Sequence, residues 1–128
     1  LQITDEDLDG RGMVFLSSDP EREHHEFVLM AGRDVPQGGK LVQQISFEVP
    51  SIDDLKSFHS RLVDEGVQVE QIVSHGNALG LYFFDPEGNR IELYYKTGFK
   101  VPQPHGDPID LEESNEKLLA DAKALIPA

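Results

Sequence analysis

The chain contains no cysteine. Disulfides, thiolate metal sites and cysteine nucleophiles are thereby excluded, any metal must rest on His, carboxylate, amide or water, and a reducing, cytoplasmic setting is expected. Positive charge is scarce: 11 Lys and Arg stand against 24 Asp and Glu, a formal net charge of -13. Such a surface has no electrostatic reason to bind DNA, RNA or an anionic membrane, so neither nucleic acid nor membrane is an expected partner. No apolar run approaches the roughly 18 residues of a membrane span, and no basic stretch leads into an apolar one as a signal peptide requires. The chain also opens on Leu1 where a Met would start a translated protein, which leads us to expect processing or a natural beginning that lies elsewhere.

What is there is enough for one modest core: 128 residues, 38% of them apolar, which excludes two large domains. Residues 2–8, 13–17 and 26–30 read as three short strands of a meander, separated by the turn-rich segments DGRG and SDPERE. GRDVPQGGK at 32–40 combines Pro with glycines and reads as a loop between two halves. Residues 42–49 alternate, with Ile45, Phe47 and Val49 expected on a core face and Gln44, Ser46 and Glu48 on a polar one. Next comes a helix with Ser51 as N-cap, Asp54 at capping-box spacing, Ile52, Leu55, Phe58 and Leu62 at helical intervals, and Gly66 as the stop. Strands are expected at 67–73, 79–84 and 90–96, with DPEGN as the turn between the last two. The end of the chain reads as an extended proline-stiffened stretch, VPQPHGDP, then an acidic, solvated segment with a short helix starting at Asp110 or Ser114 and carrying Leu118, Leu119, Ala122, Leu125 and Ile126.

One residue stands out chemically. Glu92 sits inside the apolar run NRIELYY, and an unpaired carboxylate there loses several kcal/mol of hydration. It asks for a metal, an arginine or a proton. By alternation Glu92 shares a face with Arg90 and Tyr94, so a surface ion pair with Arg90 is the plain alternative. His75, in SHGN, reads as an exposed turn residue or as part of a site. Tyr82 reads as a core tyrosine with its hydroxyl at the rim or as a substrate contact. His25, beside His24, reads as solvent-facing or as an acid–base group whose ordinary pKa near 6.5 suits proton transfer at neutral pH.

The order strand, helix, strand, strand, strand, with the motifs HHEFVLM, QISFEV, SIDDLKSFHSRLVDEGV and HGNALGLYFFDPEGNRIELY, resembles one βαβββ module of the vicinal oxygen chelate superfamily, the glyoxalase, bleomycin-resistance and extradiol dioxygenase group. The catechol-type extradiol dioxygenases are the branch it most resembles. The resemblance implies an α+β fold of paired modules: residues 1–40 as a first module lacking its opening strand and helix, 41–98 as a complete second module, and 99–128 as an extended tail and short helix. It further implies a divalent metal, Fe(II) or Mn(II), held by Glu92 and Gln44, with Gln44 standing where the family has a histidine and a further histidine ligand lying outside this sequence. His25, His75 and Tyr82 match the family's acid–base and substrate-contact residues. The implied activity is oxidative ring cleavage of a catechol-like aromatic. A glyoxalase-type metal isomerase or lyase, and a non-catalytic module that binds a small ligand, are the alternatives. Uncovered strand edges in the first half, together with the habits of the superfamily, lead us to expect a homodimer.

Overall fold

The computed structural model describes residues 1–32, 39 and 42–128, so the expected loop at 32–40 lies almost wholly outside the described residues. Two compact units emerge, Leu1–Leu41 and Val42–Ala128.

The first unit is a meander. β1 (Gln2–Asp7) pairs antiparallel with β2 (Met13–Ser17), and β2 with β3 (Phe27–Met30). Gly12 closes the first hairpin at φ +67, a left-handed conformation open to glycine without strain, and its amide donates to the Asp7 carbonyl at 2.8 Å. The second turn is held by a carboxylate: Glu26 Oε2 accepts from the Ser18 amide and the Ser18 hydroxyl, each at 2.5 Å. Two side chains of β2, Phe15 and Ser17, are buried.

The second unit is a five-stranded sheet in the order β4-β7-β6-β5-β8, built from β4 (Ile45–Glu48), β5 (Val69–Ser74), β6 (Ala78–Phe84), β7 (Arg90–Lys96) and β8 (Asp107–Pro108). Helix α1 (Ile52–Asp64) connects β4 to β5, which makes β4 and β7 parallel neighbours while the remaining pairs run antiparallel. Ser51 caps α1 as its sequence spacing implies, accepting from the Asp54 amide at 3.0 Å, and Gly66 ends it at φ +72. The turn from β6 to β7 is held by Asp85, whose Oδ1 accepts from the amides of Glu87 and Asn89 at 2.9 and 2.8 Å.

Alternation sends Leu79 and Leu81 of β6 and Leu93 of β7 to one face, where they pack with Ile52 and Leu55 of α1. Residues Gly80, Tyr82, Arg90 and Glu92 point to the other face. Two expectations need correction. Ile45 and Phe47 do alternate with Gln44 and Ser46, yet they are 43% and 54% exposed. They lie on an edge strand, and α1 inserts Ile52 and Leu55 rather than Phe58 beneath the sheet, so Phe47, Phe58, Leu62, Phe83 and Ile91 line an open apolar cleft. The end of the chain is not merely a solvated appendage. β8 pairs with β5, and Leu111 with Leu118 and Ala122 of α2 (Asn115–Ala124, N-cap Ser114) completes the core cluster. The acids of this stretch do face water, but its apolar residues belong to the second unit's interior. No helix among the described residues is long and apolar enough to cross a membrane.

Candidate functional site

Glu92 is 7% exposed. On either side of it the sheet register sets one polar residue: Ser46 lies directly across the parallel pair and Tyr82 directly across the antiparallel one. Three neighbouring strands thus converge on one carboxylate. The Tyr82 hydroxyl donates to Glu92 Oε1 at 2.6 Å. Ser46 Oγ and Gln44 Nε2 donate to Oε2 at 2.6 and 2.8 Å. Gly80 leaves room for this arrangement, since a Cβ there would stand 2.9 Å from Glu92 Oε1. In place of the arginine partner proposed for Glu92 from the sequence, the structure supplies a set of neutral donors. Arg90 does not form the surface ion pair with Glu92: its Nε donates to Glu70 at 2.6 Å and its Nη1 to Gln44 Oε1 at 2.6 Å, with the guanidinium carbon 4.4 Å above the Tyr82 ring. The orientation of the Gln44 amide is fixed chemically, because Arg90 can only donate and the Glu92 carboxylate can only accept.

His75 extends the chain of contacts. Its Nε2 is 2.7 Å from the Tyr82 hydroxyl and 3.8 Å from Glu92 Oε1, and its Nδ1 is 2.6 Å from the His105 carbonyl. The turn that presents it, His75 to Ala78, needs Gly76 twice over: φ is +76, and a Cβ would stand 2.7 Å from Val101. A hydrogen-bonded path therefore runs Glu70, Arg90, Gln44, Glu92, Tyr82, His75, His105 carbonyl. Burial, then the Glu92 charge and the hydrogen bond to it, push the Tyr82 phenol well above its ordinary value. Tyr82 accordingly stays a proton donor. With its single proton aimed at Glu92, the Tyr82 oxygen is left to accept from His75 Nε2, which an imidazolium satisfies; a neutral His75 competes with Glu92 for the same phenolic proton.

Four of the five residues singled out from the sequence, Gln44, His75, Tyr82 and Glu92, come together in the second unit. His25 belongs to the first, where its Nδ1 is 2.7 Å from Nδ1 of His24, both rings lie edge-on to Phe15, and His24 Nε2 is 3.3 Å from Asp5. Sequence reasoning missed Ser46, Gly80 and the His105 carbonyl as parts of the site. Ser46 carried a signal, being two residues from Gln44 on the same polar face. Gly80 and His105 carried none, because their roles depend on cross-strand proximity and on a chain return.

The metal implied by the resemblance was tested against these donors. Among the described residues no group of three or more His, Asp or Glu could hold an ion. The one ligating atom of Gln44, Oε1, accepts from the Arg90 guanidinium, and a second positive charge beside it is opposed. Both Glu92 oxygens are already occupied by donors. As arranged, the residues present do not fit a resident metal.

The second unit's α1-backed sheet and the polar face opposite that helix define the class. Residues 2–93 match the family model of the Glyoxalase/Bleomycin resistance protein/Dioxygenase superfamily, and the chain belongs to that superfamily. Among curated proteins it is similar to biphenyl-2,3-diol 1,2-dioxygenase 3 of Rhodococcus globerulus, 32% identical over 110 residues that cover 79% of this chain and 54% of that protein. It is also similar to biphenyl-2,3-diol 1,2-dioxygenase 2 of the same organism, 26% identical over 89 residues that cover 66% of this chain and 46% of that one. The chain thus spans about half the length of these relatives. No solved structure matches it.

Proposed function

We propose that this chain recognises a catechol-like aromatic diol and handles a hydroxyl proton from it, as the substrate-binding part of an extradiol-type dioxygenase activity. The observation that carries the reading is the continuous contact of Glu92, Tyr82 and His75 on the face away from α1. A vicinal diol offers two donors and two acceptors a fixed distance apart. Against it the site sets the Tyr82 hydroxyl, whose proton Glu92 holds so that its oxygen can accept, and the His75 imidazole, whose ring nitrogen can donate or accept. The names of the relatives, which are dioxygenases of a biphenyl diol, favour an aryl-substituted catechol as the ligand. Ring cleavage needs a redox centre that the described residues do not complete, so the part assigned to this chain is diol binding, orientation and proton removal.

A second reading has its own support. The hydrogen bond from Arg90 to Gln44 Oε1 puts a fixed organic cation beside the site, which suits a binding module that takes a small planar ligand without metal.

Titration with 2,3-dihydroxybiphenyl, followed by calorimetry and by the catechol absorbance, tests both. Saturable binding is expected, weakened about tenfold in Tyr82→Phe, the size of one lost hydrogen bond of about 1.4 kcal/mol, and more strongly in Glu92→Gln. The protonation of the bound diol separates the readings: catecholate absorbance on binding, the mark of proton removal, supports the dioxygenase part, and binding of the diol with both protons kept supports the binding module. Absence of binding in every arm overturns both.

A further inference from the structure

We propose that Gln103 is a positioning residue: through the backbone segment 101–108 it holds the His105 carbonyl against His75 and so fixes which nitrogen of the neutral imidazole carries the proton. The proposal rests on the reading of His75 as the proton-handling group of the site.

The chain leaves β7, and Val101 buries itself against Gly76, so close that no side chain fits between. A few residues later β8 pairs with Val73 and Ser74, and the Ile109 amide donates to the Ile72 carbonyl at 3.1 Å. The segment is thus tied down at one end to Gly76, just beyond β5, and at the other along β5 itself, and His75 lies between the two ties. There the side chain of Gln103 makes three contacts. Its Nε2 donates to the carbonyl of His75 at 2.8 Å and to that of Val101 at 3.2 Å, and its Oε1 accepts from the His105 amide at 3.3 Å. One amide therefore joins the backbone of His75 to the peptide whose carbonyl His75 contacts through its ring.

The consequence is chemical. A carbonyl oxygen has no proton to give, so at 2.6 Å the contact between His105 O and His75 Nδ1 requires a proton on Nδ1. Imidazole in water prefers the proton on Nε2. Held as it is, a neutral His75 must carry its lone pair on Nε2, which is the atom 2.7 Å from the Tyr82 hydroxyl. Only in this tautomer can His75 take a proton at Nε2 from a diol placed beside it. The side chains of the polar face do not impose that choice, since a Tyr82 oxygen whose proton goes to Glu92 favours a proton on Nε2; the returning segment does. Gly106 allows the close approach, since a Cβ there would come within 3.2 Å of Val73 Cγ1 and 3.8 Å of His75 Nδ1.

The test is the tautomer, read directly by long-range ¹H–¹⁵N correlation of the histidine rings in ligand-free, full-length protein above the imidazole titration, with His75→Gln to assign the signals. Wild type is expected to show a protonated Nδ1 and an unprotonated Nε2 at His75. In Gln103→Ala the pattern is expected to move toward protonated Nε2, while diol affinity falls about tenfold. Should Gln103→Ala not fold, Gln103→Glu keeps the acceptor for the His105 amide, removes the Nε2 donor to the His75 carbonyl, and is read in the same way. A wild-type His75 protonated at Nε2, or a folded Gln103→Ala with an unchanged ring pattern, overturns the proposal. Because the tautomer is measured without ligand, failure of the diol to bind wild type sinks the functional reading alone.

Discussion

The two units meet the same problem, a short-stranded sheet with one apolar face, and solve it differently. In Val42–Ala128 the face carrying Leu79, Leu81 and Leu93 is sealed by Ile52 and Leu55 of α1 and by Leu111, Leu118 and Ala122 from the end of the chain. In Leu1–Leu41 no helix forms among the described residues, and the buried side chains are Phe15 and Ser17, while Phe27, Leu29 and Met30 are exposed. A three-stranded meander by itself buries little apolar surface, so the first unit relies more on polar fastenings such as the Glu26 bonds to Ser18 and the Thr4 hydroxyl donating to the Phe15 and His24 carbonyls. Backing by a helix is what allows the second unit to hold a buried carboxylate on its opposite face: the core fixes the strands, and the fixed strands hold Tyr82, Ser46 and Gln44 in hydrogen-bonding reach of Glu92.

Three measurements break or sharpen this contrast. Leu81→Ala, at a fully buried position, is expected to cost about 2–5 kcal/mol. Hydrogen exchange should show the protection of β5, β6 and β7 collapsing; an equal loss spread over β1 to β3 would mean that the units are not energetically distinct. Ser51→Ala removes the N-cap bond of α1 and is expected to cost about 1 kcal/mol, visible as a lower denaturation midpoint with amide exchange at β2 unchanged. The smallest effects come from pH and act at opposite ends of the scale. The Ser18 hydroxyl, then the Ser18 amide, hold the Glu26 carboxyl below its ordinary value, so its stabilisation is present above the usual carboxylate range and is lost as pH falls through the lowered value, because the unfolded chain takes up the proton first. Burial beside Glu92 raises the Tyr82 phenol, so below about pH 10 both folded and unfolded chains keep its proton, and stability falls above that as the unfolded chain alone releases it. Amide exchange near Ser18 should therefore quicken in acid before that of β6, and the ultraviolet phenolate signal of Tyr82 should appear only with unfolding in alkali. Ionisation of Tyr82 in native protein would contradict the close Glu92 contact.

Much of the fold was legible because its signals are local. The Ser51 cap, the Gly66 stop, the DPEGN turn and the alternation of 90–96 each depend on residues within a few positions of one another, and each appears where the sequence places it. Ile45 and Phe47 misled because alternation assigns a face without saying whether anything covers it. The end of the chain misled in the opposite direction: an excess of acids marked it as solvated, yet every fourth residue or so is apolar and finds the core. For the site, the type and spacing of Glu92, Tyr82 and His75 were readable, along with the superfamily. Several of their partners were not, since Ser46 and the His105 carbonyl reach them across strands or after a return of the chain.

The amino-acid sequence by itself determined the elements, their order and the residue types able to do chemistry, because helix caps, turns and period-two patterns are written in neighbouring side chains. Only the tertiary structure decided what those residues contact. Whether Gln44 turns its oxygen toward a metal or toward Arg90, and which nitrogen of His75 keeps its proton, depends on donors and acceptors tens of positions away in the chain, brought within hydrogen-bond distance by the packing of the sheet.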